Sequence, residues 1–256
     1  VFMIIMAISS IVGTGAASYV SRCLGSERHE EADKTLVVSM GLCCLLSALV
    51  TVFGLIFGRT IIKLLGTSSA TYPFTYDYVI VLFAGSFAII GNFALGQLMR
   101  SEGSTKLSMF GMMIGTVTNI ILDPLFIFSF KMGIRGAAIA TVLGNLFALI
   151  FYLYCYLRKK TLLQINIKLF SFDKKILWEI VSIGVPATLN QLLVSVAMMV
   201  CNNIASTYGD IAVAAMGISQ KLMTIGTFVF MGFGAGCQPL MASTMVLIIT
   251  KECLAC

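Results

Sequence analysis

The chain has 256 residues, of which 59% are hydrophobic and 11% charged, with a formal net charge of +6. A soluble domain carries about 25% charged residues, so this chain lacks the charge to cover a globular surface. Soluble enzymes, nucleic-acid binders and disordered chains are poor fits; the expected fold class is an all-α polytopic transmembrane bundle whose first partner is the lipid bilayer.

A bilayer-spanning helix needs about 20 mainly apolar residues. Seven segments qualify: 1–20, 36–58, 78–99, 107–130, 136–157, 176–207 and 211–240. They are too long for strands and lack the alternation of a membrane barrel. The first begins at Val1, already inside an apolar run, with no initiator Met or signal peptide, so the sequence reads as a fragment. Alternate loops carry Arg22, Arg28, Lys34, Arg100, Lys106, Arg158, Lys159, Lys160, Lys168, Lys174 and Lys175, whereas the opposite loops carry only Arg59, Lys63, Lys131 and Arg135. The positive-inside rule therefore puts the first set in the cytoplasm, and the first visible span runs outside to inside. Tyr72, Tyr76 and Tyr78 would then mark the outer interface, with Tyr152, Tyr154, Tyr156 and Trp178 at the inner one.

The only long polar connection is Arg158–Lys175, RKKTLLQINIKLFSFDKK. It is the expected hinge between two bundles, with five spans before it and two after. Cys43, Cys44, Cys155 and Cys201 lie in apolar runs, where a thiol acts as a small hydrophobe. Cys253 and Cys256 form a lone C-x-x-C with no second pair and no nearby His, so no metal site is expected.

Ten of the eleven acidic residues fall in loops or near span ends; Asp123 alone lies well inside a span, in TNIILDPLFIF. A charge at that depth costs about 2.5–3.5 kcal/mol on insertion scales. Asn119 lies four residues earlier, on the same helix face, and Pro124 frees a carbonyl and can kink the helix. Burial disfavours the charged form of a carboxyl, which suits reversible protonation. The residues leave two readings open: a functional carboxyl, or an anchor for a Pro-broken helix. Asn92, Gln97, Asn145, Asn190, Gln191, Asn202, Asn203, Gln220 and Lys221 also lie within spans. Each could simply bridge helices, worth about 0.6 kcal/mol on average; together they are numerous enough for a wet interior or pocket. Met198, Met199, Met216 and Met223 could line such a pocket or merely fill the core. Gly111/Gly115 and Gly232/Gly236 are G-x-x-x-G packing signals. His29, in SERHEEADK, reads as solvated. There is no phosphate loop, no H-E-x-x-H and no G-x-S-x-G. That leaves non-enzymatic transport driven by an ion gradient, with no cofactor beyond the ion.

Several motifs then narrow the reading. GTGAASYVSRCLGSERHEEADKT, RSEGSTK, NIILDPLFIF, GIRGAAIAT, GVPATLNQ, YGDIAVAAMGI and GFGAGCQPL occur in this order across residues 1–240. In order and spacing they resemble the multidrug and toxic compound extrusion transporters, most closely bacterial ones. The resemblance implies twelve spans in two six-helix lobes. On that map residues 1–158 are family helices 2–6, 159–175 the cytoplasmic inter-lobe linker, and 176–240 family helices 7–8. The lobes are parallel repeats, and GTGAA at Gly13–Ala17 has a counterpart in GFGAG at Gly232–Gly236.

It further implies a monomer in the bacterial cytoplasmic membrane, exporting cationic or amphipathic drugs in exchange for H⁺ or Na⁺. Asn119 and Asp123 match the family's cavity pair in the proton-coupled branch; the Asp partner on the first family helix is not in this sequence. No carboxylate lies between Glu179 and Asp210, which counts against a cation site in the second lobe. The alternatives are a lipid-linked oligosaccharide flippase of the same superfamily, for which Lys221 is too few deep cations, and a channel or structural subunit. Beyond Leu240 the sequence leaves the family's pattern. A one-base shift in suitable codons would restore it, so 241–256 is expected to be a frameshifted, non-native tail.

Overall fold

The computed structural model describes residues 2–64, 72–165, 173–207, 215–234 and 237. The described elements are helices, with no strand among them. They are α1 (Phe2–Gly25), α2 (His29–Leu64), α3 (Tyr72–Ala84), α4 (Ser86–Ser101), α5 (Thr105–Pro124), α6 (Gly133–Leu157) and α7 (Lys174–Thr207). A further helix, α8, covers 215–234. Among the described residues five helices are long and apolar enough to cross a membrane, and α3 with α4 makes a sixth, bent span, against the seven expected segments. The chain is thus a multi-pass membrane bundle. Residues 241–256, with the proposed tail and its C-x-x-C, lie outside the described residues, as do 166–172 of the expected linker.

The third expected span, 78–99, is a broken one. α3 and α4 meet at an angle of 57° at Gly85, inside a Gly-Ser pair of the kind that commonly marks sharp kinks. The neighbouring helices hold the break. Thr51 Oγ1 on α2 donates to Phe83 O at 2.9 Å and lies 2.8 Å from Ser86 Oγ, which donates to Ser47 O at 3.1 Å. On the other side Val142 of α6 fills the space a Gly85 side chain would need. A bend in apolar surroundings survives because other helices re-satisfy the freed backbone groups.

Two buried clusters are stacked along the bundle. One joins Ile5, Val12, Leu82, Phe83, Ile89 and Ile90. The other is built around Leu36, Leu98, Tyr152 and Tyr156, and it takes in Leu163 together with Ile176 and Ile180 of α7. The start of α7 is therefore packed into the core of the helices before it. Large apolar side chains on α2 (Leu49, Val52, Phe53, Ile56) and α5 (Met109, Ile120, Ile121) face outward, as a lipid-contacting surface should.

The inner aromatic belt needs correction. Tyr154 and Trp178 are exposed, with Arg158 and Lys160 over the Tyr154 ring at 5.7 and 5.4 Å. Tyr152 and Tyr156, one turn apart on the opposite face of α6, are fully buried instead. Gly111 leaves the hole that the Tyr152 ring occupies, and Tyr152 Oη donates to Ser108 O at 2.9 Å. The first G-x-x-x-G thus does pack a helix pair, while a side chain built at Gly232 would meet nothing within 4 Å.

Candidate functional site

α5 and α6 cross where two glycines meet. A side chain at Gly144 would come 2.7 Å from Gly115 O, and one at Gly115 would come 3.2 Å from Gly144 O. That approach brings the polar residues one turn further along into contact. Asn119 faces Thr141: in the amide orientation that satisfies both neighbours, its nitrogen donates to Asp123 Oδ2 at 3.2 Å and its oxygen accepts from Thr141 N at 3.2 Å. Thr141 Oγ1 donates back to Ala137 O at 2.9 Å. Asn145 Nδ2 donates to Thr141 O at 2.7 Å, and Asn145 Oδ1 accepts from Asn92 Nδ2 of α4 at 2.8 Å.

The result is one polar chain, Asn92–Asn145–Thr141–Asn119–Asp123, crossing three helices. It runs along a cavity of about 260 Å³ lined by Asn92, Met112, Gly115, Thr116, Asn119, Thr141 and Asn145. Two of its buried oxygens, Asn92 Oδ1 and Asp123 Oδ1, have no hydrogen-bond partner. Unmet acceptors in an apolar interior are costly, and they are the atoms a cation or an exchangeable proton would satisfy. Directly after Asp123, Pro124 ends the α-helix and Leu125–Ser129 continues as a single π-helical turn. Such turns are frequent at functional sites, and this one follows directly on the proline that the sequence marks for a kink.

Of the residues singled out from the sequence, the fold brings together Asn92, Asn119, Asp123 and Asn145. It does not add Gln97, which is half-buried on α4 but does not line the cavity. Five residues separate it from Asn92, a rotation of about 140° on a 3.6-residue helix. Asn190 and Gln191 lie on an exposed part of α7, and the side chain of Asn202 is outside the described residues. Thr116 and Thr141 carry no distinct signal in the sequence, because a Thr hydroxyl in a span usually returns to a carbonyl of its own helix. Thr141 does so, yet its backbone also serves Asn119 and Asn145.

The profile of the MatE family matches residues 1–125 and 186–245. The chain belongs to the MatE family. Over 242 residues it is 34% identical to the multidrug export protein MepA of Staphylococcus aureus, an alignment covering 94% of this chain and 54% of MepA. This MatE chain therefore spans about half the length of that relative. Among solved structures it is similar to an outward-facing multidrug resistance MATE family transporter, with a TM-score of 0.90 at 29% identity, covering 96% of this chain and 55% of that one. The fit to an inward-facing MATE transporter, at 29% identity and covering 96% and 54%, has a TM-score of 0.78.

Proposed function

We propose that this MatE chain forms the ion-binding half of a cation-coupled exporter of cationic or amphipathic drugs. The observation that carries the reading is the Asp123 carboxylate, held by Asn119 against Thr141 with Oδ1 left unpaired, at the end of a polar chain whose other members line the cavity. A carboxylate with neighbouring amide oxygens can bind H⁺ or Na⁺, or the positive charge of a drug, but not all at once. Exclusive occupancy couples one flux to the other, since a ligand shifts an equilibrium only by its differential affinity for the two states. The better fit to the outward-facing arrangement supports a cytoplasmic side that is closed here. The transporter works as a monomer in the bacterial cytoplasmic membrane, catalyses no covalent chemistry, binds no nucleic acid and needs no cofactor besides its coupling ion. The three regions 1–158, 159–175 and 176–240 serve as most of one lobe, the linker and the start of the other.

Asp123→Asn keeps the volume and removes the charge. In the full-length transporter it abolishes drug resistance at unchanged membrane abundance; wild-type resistance in that variant overturns the reading. Drug uptake into liposomes driven by an imposed pH gradient or an imposed Na⁺ gradient identifies the ion.

A further inference from the structure

α1 and α7 are fastened at three levels along an antiparallel seam. In the middle the backbones touch: Gly15 packs on the Ile180 carbonyl and Gly184 on the Ile11 carbonyl, with no room for a side chain at either glycine. Toward the outer side Thr188 Oγ1 donates to Ala7 O or Gly184 O, both at 2.9 Å, and lies 2.9 Å from Ser10 Oγ. At the cytoplasmic end Arg22 Nη2 meets Glu179 Oε2 at 2.7 Å. The last contact differs from the others in kind. It is half-exposed and electrostatic, whereas the glycine crossing is buried and has no slack.

Arg22 is also held from its own side. Its guanidinium lies 5.4 Å from the Tyr19 ring centroid, a stacking that Arg makes better than Lys. Tyr19 Oη donates to Glu31 Oε2 of α2 at 3.1 Å, and the same oxygen accepts from Arg28 at 3.2 Å. A continuous relay, Glu179–Arg22–Tyr19–Glu31–Arg28, therefore ties the start of α7 through α1 to α2 on the cytoplasmic surface.

We propose that the Arg22–Glu179 pair is a cytoplasmic latch between the halves joined by the linker, with the Gly15/Gly184 crossing as the pivot beneath it. The latch can open by solvating two half-exposed charges, a small change. The pivot cannot slide without driving backbone into backbone, so separation at the cytoplasmic end becomes rotation about the crossing. The motion rests on the two-lobe transporter reading; the ion pair and its relay do not.

The test uses the full-length transporter in lipid nanodiscs, with spin labels introduced through unnatural amino acids at His29 and Lys175, both exposed. Distances are read without drug or ion gradient, so the result is independent of whether Asp123 carries cargo. Arg22→Gln and Glu179→Gln should each raise the population with separated cytoplasmic ends roughly two- to five-fold, the range for half-exposed pairs. The swap Arg22→Glu with Glu179→Arg should recover at least part of the closed population. Tyr19→Leu, which keeps the pair and removes its stacking platform, should shift the population in the same direction by less. Single variants with the wild-type distance distribution, or a swap whose effect equals or exceeds the sum of the singles, overturn the proposal.

Discussion

The α1–α7 seam and the α5–α6 crossing are built alike and finished differently. Each relies on a glycine from both helices, Gly15 with Gly184 and Gly115 with Gly144, and each follows that contact with hydroxyl or amide side chains. In the seam the described hydroxyls are paired: Ser10, Thr188 and Ser9 all find backbone carbonyls. Beside the crossing, Asn92 Oδ1 and Asp123 Oδ1 are buried without partners. Polar residues in a membrane helix are therefore not informative by their presence. What separates structural glue from a working site is hydrogen-bonding capacity left over after the helices have packed.

The largest effect that would break this comparison lies in the seam. Gly184→Leu puts a side chain where the Ile11 carbonyl stands; overpacking costs about 1–3 kcal/mol and sometimes more. Membrane abundance of the full-length protein should fall severely, whereas Asp123→Asn should leave it unchanged. Equal abundance of the two variants would erase the distinction.

An intermediate effect is expected at the cytoplasmic rim, where Glu102 combines both conditions. It is 4% exposed, its Oε2 accepts the Leu163 N–H at 3.1 Å, and its Oε1 has no partner. Next to it Asp33 Oδ1 accepts the Gln164 N–H at 2.8 Å, so two carboxylates hold consecutive linker amides. Burial pushes the Glu102 carboxyl up from 4.5 to about 7, against the Leu163 hydrogen bond, with Asp33 adding to the rise. A raised value means that the folded protein binds this proton more tightly than the unfolded chain. The stability it contributes is complete below about pH 4.5 and is lost as the pH rises through about 7. The thermal unfolding midpoint should fall across that window. Glu102→Gln should flatten the profile, and an unchanged profile in that variant would remove Glu102 from the account.

The smallest effect sharpens the comparison with a pair of substitutions. Thr188→Val in the seam removes a satisfied hydroxyl and leaves shape intact, which should cost about 1 kcal/mol. Asn92→Leu removes one hydrogen bond and one unpaired oxygen but strips Asn145 Oδ1 of its donor, so its cost should stay near the average of about 0.6 kcal/mol for interhelical bonds. Thermal unfolding in detergent compares the two; a larger loss for Asn92→Leu would reverse the order.

Much of this was legible along the chain. Runs of about 20 apolar residues fixed helices as the only way to satisfy the backbone in lipid. A single carboxyl deep in a span, with an amide four residues before it, marked Asn119 and Asp123 as one face. The Gly-Ser pair at Gly85–Ser86 carries the kink signal, but hydropathy windows average over a bend and show one continuous span. Composition gives depth along a helix and not which face is covered, so it cannot separate the buried Tyr152 and Tyr156 from the exposed Tyr154.

The sequence by itself determined the class of the protein, the helical character of its spans and the carboxyl deep in one of them. These follow from local solvation, which each residue meets alone. Which amides join Asp123, which remain mere bridges, and which glycines bear the seam were decided only by tertiary structure. Asn92, Asn145 and Gln97 are chemically equivalent in the sequence. Two line the cavity because α4 and α6 turn those faces toward α5, and a rotation of about 140° leaves Gln97 outside it.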